Sequence, residues 1–173
     1  EKRILETNIA AETHAHADHI AGVAPLLMRL AAAGLARPPI LIHAAEAGWL
    51  NDPVLNLSAM YGAGLTAPMA DRMISHGDML SLAGSRWMVL HTPGHSPGGI
   101  TLHHAQEKIA IVGDALFRGS VGRTDFPGSD HQQLLRSIRE VLYTLPAETL
   151  VLPGHGPETT IGREMKSNPF VRA

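Results

Sequence analysis

Residues 13–19 read Thr-His-Ala-His-Ala-Asp-His, which sets His14, His16, Asp18 and His19 within six consecutive positions. Imidazole suits zinc, iron or manganese, and a neighbouring carboxylate adds hardness and charge compensation. In an extended segment residues two apart point to the same side, so His14 and His16 can ligate one ion together. Asp18 and His19 follow where the loop turns into a helix, aimed at a second ion. Three further ligand types, His95, Asp114 and His155, each lie at the end of an apolar run. His95 and His155 both follow Pro-Gly, whose turn chemistry can hold a side chain rigidly at a strand end. Asp114 follows Gly113, and a carboxylate there can bridge two ions roughly 3.5–4 Å apart. A single Pro-Gly-His is usually a turn and a single Gly-Asp a cap. Seven such side chains in this order supply about what two adjacent ions need once solvent completes their shells. The chemistry expected is metal-dependent hydrolysis.

The elements that must position these residues alternate between strand and helix, which makes the fold class mixed α/β. Residues 1–8 have the pattern of a helix tail, and Ile9–Thr13 that of a short strand leading into the ligand loop. Ile20, Val23, Leu26, Leu27 and Leu30 have helical spacing, with Gly34 as the stop. Ile40–His43 reads as a buried strand. Residues 49–75 are broken by Asn51-Asp52-Pro53 and Gly62-Ala63-Gly64 and are expected to form a lid or covering segment. Strands are expected at Trp87–Leu90, Ile100–His103, Ile109–Val112 and Thr149–Leu152, with a turn at Gln106-Glu107. A helix over His131–Tyr143 carries Leu134, Leu135, Ile138, Val141 and Leu142 on one stripe. Asp130 is its N-cap and Gln133 completes a capping box. Of the remaining histidines, His43 and His91 read as structural; His76, His103, His104 and His131 are expected to face solvent.

Composition narrows the function classes. The chain has 173 residues, 45% apolar and 17% charged, enough for one domain with a hydrophobic core. No apolar run approaches the ~18 residues of a membrane span. A net charge of −2 without dense Lys/Arg stretches gives no footprint for nucleic acid. Cysteine is absent, which excludes disulfides and thiolate metal sites. No leader peptide is visible, and the expected compartment is the cytoplasm.

Thr-His-x-His-x-Asp-His, Thr92-Pro-Gly-His-Ser96, Gly113-Asp114 and Pro153-Gly-His-Gly156 closely resemble the motifs of the metallo-β-lactamase superfamily. Within it, Leu116–Phe126, Pro153–Thr160 and Asn168-Pro169-Phe170 look like the compact, glyoxalase II-like hydrolases. The resemblance implies an αββα sandwich formed by residues 1–173 as a single domain, with two divalent ions, zinc first and iron or manganese as alternatives. It further implies that His14, His16 and His95 hold one ion, that Asp18, His19 and His155 hold the other, and that Asp114 bridges them. A carboxylate at Asp114, in a chain without cysteine, argues against the common β-lactamase classes. Two departures stand out. Such domains normally carry strands and a helix ahead of the His cluster, so the domain is expected to lack its N-terminal strands. The helical domain that binds glutathione in full-length glyoxalase II is also missing.

The implied mechanism is attack of a metal-bridging hydroxide on a thioester or ester carbonyl of a small molecule such as a glutathione thioester. Asp18 and Asp114 are the catalytic carboxylates, and Arg123 is the candidate partner for a substrate carboxylate. The competing expectation for Arg123 is an ion pair with Asp125. Persulfide dioxygenases share this fold, with one iron held by residues matching His14, His95 and Asp114. They are the main alternative; the Pro-Gly-His-Gly ending favours the two-metal hydrolase. An inactive metal-binding domain is the third reading.

Overall fold

The computed structural model describes residues 9–82 and 84–172; the helix expected over residues 1–8 lies outside them. The chain divides into two compact units. One runs up to Ile74 and includes Ser81–Ser85; the other comprises Ser75–Leu80 and everything from Arg86 onward.

In the first unit, β1 (Ala10–Ala11) leads into the histidine loop, followed by α1 (Ala17–Ile20), α2 (Val23–Ala32), β2 (Ile40–His43) and β3 (Arg72–Ile74). The three strands form a sheet in the order β1-β2-β3, with both pairings parallel. Gly34 adopts a positive φ of 67° just beyond α2, as a helix-terminating glycine should. Ala15, Ile20, Val23, Ile40, Ile42, Leu50 and Ala67 make the core of this unit. Leu26 departs from the expected stripe: it is exposed, and on α2 only Val23 is buried.

The segment expected as a lid is instead built into this core. Residues 44–51 and 58–61 are 3-10 helices, and residues 72–74 are strand β3. Leu50, Asn56, Leu57, Ser58 and Ala67 are all buried. Asn56 is tied at both ends of its amide, accepting from the Ser58 N–H and donating to the Leu65 carbonyl. Its carbonyl accepts the Ala17 N–H at the start of α1. The Pro and Gly breaks in this stretch therefore mark tight turns within packed chain.

A six-stranded sheet has the order β11-β10-β7-β6-β5-β4, its strands in the second unit apart from residues 81, 82 and 85. Its strands are β4 (Met79–Leu82), β5 (Ser85–His91), β6 (Ile100–His104), β7 (Ile109–Gly113), β10 (Leu150–Pro153) and β11 (Thr159–Thr160). A small hairpin, β8 (Leu116–Phe117) with β9 (Ser120–Val121), and helices α3 (His131–Glu140) and α4 (Ile161–Ser167) complete the second unit. β5 and β7 both run antiparallel to β6, and β10 runs parallel to β7. β5, β7 and β10 therefore share one direction, and the segments that leave their C-terminal ends emerge at one edge. His95, Asp114 and His155 belong to those three segments. The apolar stripe of α3 packs Leu134, Leu135 and Ile138 onto Ala110, Val112 and Val151.

Asp130 caps α3 by accepting the Gln133 N–H at 2.9 Å. The Gln133 side chain instead donates to Ser137 and accepts from Arg136, so the cap is one-sided. His103 and His104 correct the sequence expectation: both are buried, at 6% and 5% exposure. They lie on β6, which is flanked by β5 and β7, and every residue of that strand is buried. His104 accepts the Glu107 N–H and meets Trp87 edge-on; neither ring nitrogen of His103 has a hydrogen-bond partner.

Candidate metal centre

In the first unit, the chain leaves β1 and gathers three imidazoles. The His14 ring lies 4.8 Å from His16 at 86° and 3.9 Å from His19 at 50°, measured between centroids. His14 and His16 are buried, at 1% and 4% exposure. His16 also stacks on Trp49 at 6.0 Å. Asp18, in the first turn of α1, lies 3.7 Å from the His19 Nε2, and its side chain is 57% exposed. Burial pushes the nearby Glu12 carboxyl up to about 7, with the charge of His19 opposing. Beneath the loop, Ala15 is fully buried and its N–H donates to the Glu46 carboxylate at 2.6 Å. Glu46, itself fully buried, was not singled out by the sequence. Its only signal was a lone carboxylate in the otherwise apolar stretch Ala44–Leu50.

In the second unit, His95 and His155 converge on one atom. Their Nε2 nitrogens lie 3.7 and 3.5 Å from the same Asp114 oxygen, Oδ2. The Nδ1 of His95 is 2.8 Å from the Arg123 carbonyl. A carbonyl only accepts, so Nδ1 carries a proton, and in the neutral form of the ring the Nε2 lone pair faces Asp114. Two lone-pair acceptors facing one another beyond hydrogen-bonding distance suit a cation. His95 and Asp114 are largely buried, whereas the His155 side chain is 56% exposed.

Local sequence explains how His95 is held. Gly94 has φ of 132°, and a Cβ there would collide with the backbone of Leu134 on α3. Three successive carbonyls then accept from α3 and the segment before it. Ser137 Oγ donates to Pro93, the Asp130 N–H to Gly94, and Ser129 Oγ to His95. Gly122 plays the corresponding part for Asp114: a Cβ there would strike the Asp114 carbonyl and come within 3.2 Å of His95 Cβ. The Gly154 N–H donates to the Gly113 carbonyl at 2.8 Å, which ties the His155 turn to the residue before Asp114.

Arg123 contributes visibly through its main chain. Its guanidinium forms a two-pronged pair with Asp125, at 2.9 and 2.7 Å, and lies 4.4 Å from the Phe126 ring centre. That pairing holds the Asp125 carboxyl below its ordinary value, chiefly through the hydrogen bond.

Glu164, also missed by the sequence reading, is fully buried on α4. It accepts from Thr159 Oγ1 at 2.5 Å, the Gly119 N–H at 2.8 Å and Asn168 Nδ2 at 2.9 Å. Asn168 also donates to the Ser120 carbonyl. The β8–β9 turn and the strand that follows the His155 loop are thus fastened to one carboxylate.

Residues 9–155 match the metallo-β-lactamase superfamily. The probable metallo-hydrolase YqgX of Bacillus subtilis is 41% identical over 92% of this chain and 73% of its own length. The hydroxyacylglutathione hydrolase GloC of Haemophilus influenzae is 43% identical over a shorter match, 63% of this chain and 52% of that protein. Among solved structures, the BLEG-1 B3 metallo-β-lactamase superposes with a TM-score of 0.87 at 39% identity, covering 99% of this chain and 81% of that one. TTHA1623 in a di-iron-bound form gives 0.81 at 38% identity, covering 95% and 77%. The mixed α/β architecture, the ordered ligand motifs and these matches together show that the chain belongs to the metallo-β-lactamase superfamily.

Proposed function

We propose that this chain is a binuclear metal-dependent hydrolase of thioesters or esters, acting as a single domain. In this reading His14, His16 and His95 hold one ion, Asp18, His19 and His155 a second, and Asp114 bridges. The observation that carries it is the convergence of His95 and His155 on one Asp114 oxygen, with the His95 proton committed to the Arg123 carbonyl. His14, with the His16 and His19 rings packed around it in the first unit, supplies the matching donors. The di-iron relative supports a two-ion centre and brings iron level with zinc as the expected metal.

Divalent ions, once bound by these residues, would polarise a carbonyl oxygen and lower the pKa of water to around 7. The protein's own groups do the rest. Asp18 orients the attacking hydroxide while serving as a ligand, from a side chain that is 57% exposed. A departing thiolate, with a pKa of about 8.5, needs no general acid. Arg123 can turn from Asp125 to a substrate carboxylate, since both side chains are 65% exposed. The GloC match supports a glutathione thioester as one candidate substrate. The metallo-β-lactamase among the similar structures, at 39% identity, adds lactams to the panel.

Elemental analysis of purified protein, run beside thioesters, lactones, lactams, phosphodiesters and a persulfide, tests the proposal. Two ions per chain and preferential thioester turnover are expected. One iron with oxygen uptake on the persulfide would replace the hydrolase with a dioxygenase.

A further inference from the structure

Glu46 has no part in the seven-ligand set, yet it is fully buried in the 3-10 helix Ala44–Asn51. Burying a carboxylate costs several kcal/mol unless partners compensate it. One partner here is the Ala15 N–H, at 2.6 Å, short even for a charge-assisted bond. Ala15 is the residue between His14 and His16, and it too is fully buried. A bond at that amide fixes the one peptide on which both flanking imidazoles depend for direction.

The helix carrying Glu46 is itself set firmly. His43 caps it by accepting the Ala45 N–H, and Leu50 closes it inside the first core. Trp49, one turn after Glu46, stacks on His16. The same short helix therefore touches the His14-x-His16 arm at its backbone and at one ring.

We propose that Glu46 is a positioning residue that holds the Ala15 peptide so that His14 and His16 converge on one ion. The inference rests on the metal-binding reading above. It is a matter of reach, which separates it from mere charge compensation. Gln keeps the reach of Glu without its charge; Asp keeps the charge but falls one methylene short.

The test is titration of Zn(II) into apoprotein against a chromophoric chelator, with Co(II) absorption as a second probe of coordination. Removal of an outer partner typically costs about 10–100-fold in metal affinity, and that loss is expected for Glu46→Asp and Glu46→Ala. Glu46→Gln should stay within about 3-fold of the parent, well short of that range. The Ala15 amide proton is expected far downfield in the parent NMR spectrum, and should stay there in Glu46→Gln and move upfield in Glu46→Asp. If Glu46→Ala fails to fold, the order of the other two still decides. Asp outperforming Gln, or all variants matching the parent, would overturn the inference. A parent protein that takes up no metal would instead remove the hydrolase reading.

Discussion

Asp114 is the residue on which the proposed chemistry most depends, because the imidazoles of His95 and His155 both address one of its oxygens. Asp114→Asn preserves shape and removes the charge. Bound metal and turnover should fall together, by more than the roughly 100-fold upper range for an outer partner. Full activity with two bound ions would sink its assignment. Exposure also separates the two proposed ligand triads. His14, His16 and His95 are buried, whereas the Asp18 and His155 side chains are 57% and 56% exposed. Dialysis against a chelator should therefore remove one equivalent before the other, read as a biphasic loss in elemental analysis.

Single residues also show what could be read without coordinates. The histidine cluster was legible as a set of candidate ligands because a solvated loop has no need of three imidazoles in six positions. Glu46 and Glu164 were not, since a lone Glu in sequence does not reveal that its oxygen meets a distant amide. His103 and His104 were misjudged for a related reason. A His-His pair beside a turn looks solvated until both neighbouring strands are known to flank it.

At the scale of elements, glycine and buried carboxylate do the positioning. Gly122→Ala would drive a Cβ into the Asp114 carbonyl, an overpacking expected to cost about 1–3 kcal/mol. Thermal unfolding of the apoprotein should register that loss, and metal affinity should fall with it because the carbonyl and Asp114 share one residue. Glu164→Ala leaves three donors, on Gly119, Thr159 and Asn168, without their acceptor. At about 1–3 kcal/mol for each buried group left unsatisfied, the melting temperature should drop steeply, and less in Glu164→Gln. The longer strands and α3 were readable from periodicity. β8, β9 and β11 were not: two residues carry no period, and their pairing is set by tertiary contacts such as those of Glu164. Residues 49–75 misled because turn residues mark breaks in direction, whether or not the chain between them is buried.

For the molecule as a whole, His103 contributes a loss of stability on acidification, opposed over part of the range by Glu12 with its carboxyl raised to about 7. Burial, then the neighbouring charge of His104, lowers the His103 pKa from the ordinary 6.5, so the folded protein resists protonating that ring. Its contribution to stability is complete above pH 6.5 and declines as pH falls from there through the lowered folded value. Denaturant unfolding of the apoprotein should show that decline, and His103→Phe should flatten it; an unchanged slope would remove His103 as the cause. No helix among the described residues is long and apolar enough to cross a membrane.

The central claim is that seven side chains, four following β1 and three following β5, β7 and β10, serve one binuclear hydrolytic centre. Metal stoichiometry measured alongside thioester hydrolysis, in the parent and in His16→Ala and Asp114→Asn, tests it most directly. Two ions per chain are expected in the parent, with both variants losing metal and turnover together. Thioester hydrolysis that survives complete metal removal, or a variant that keeps both ions and full activity, would contradict it.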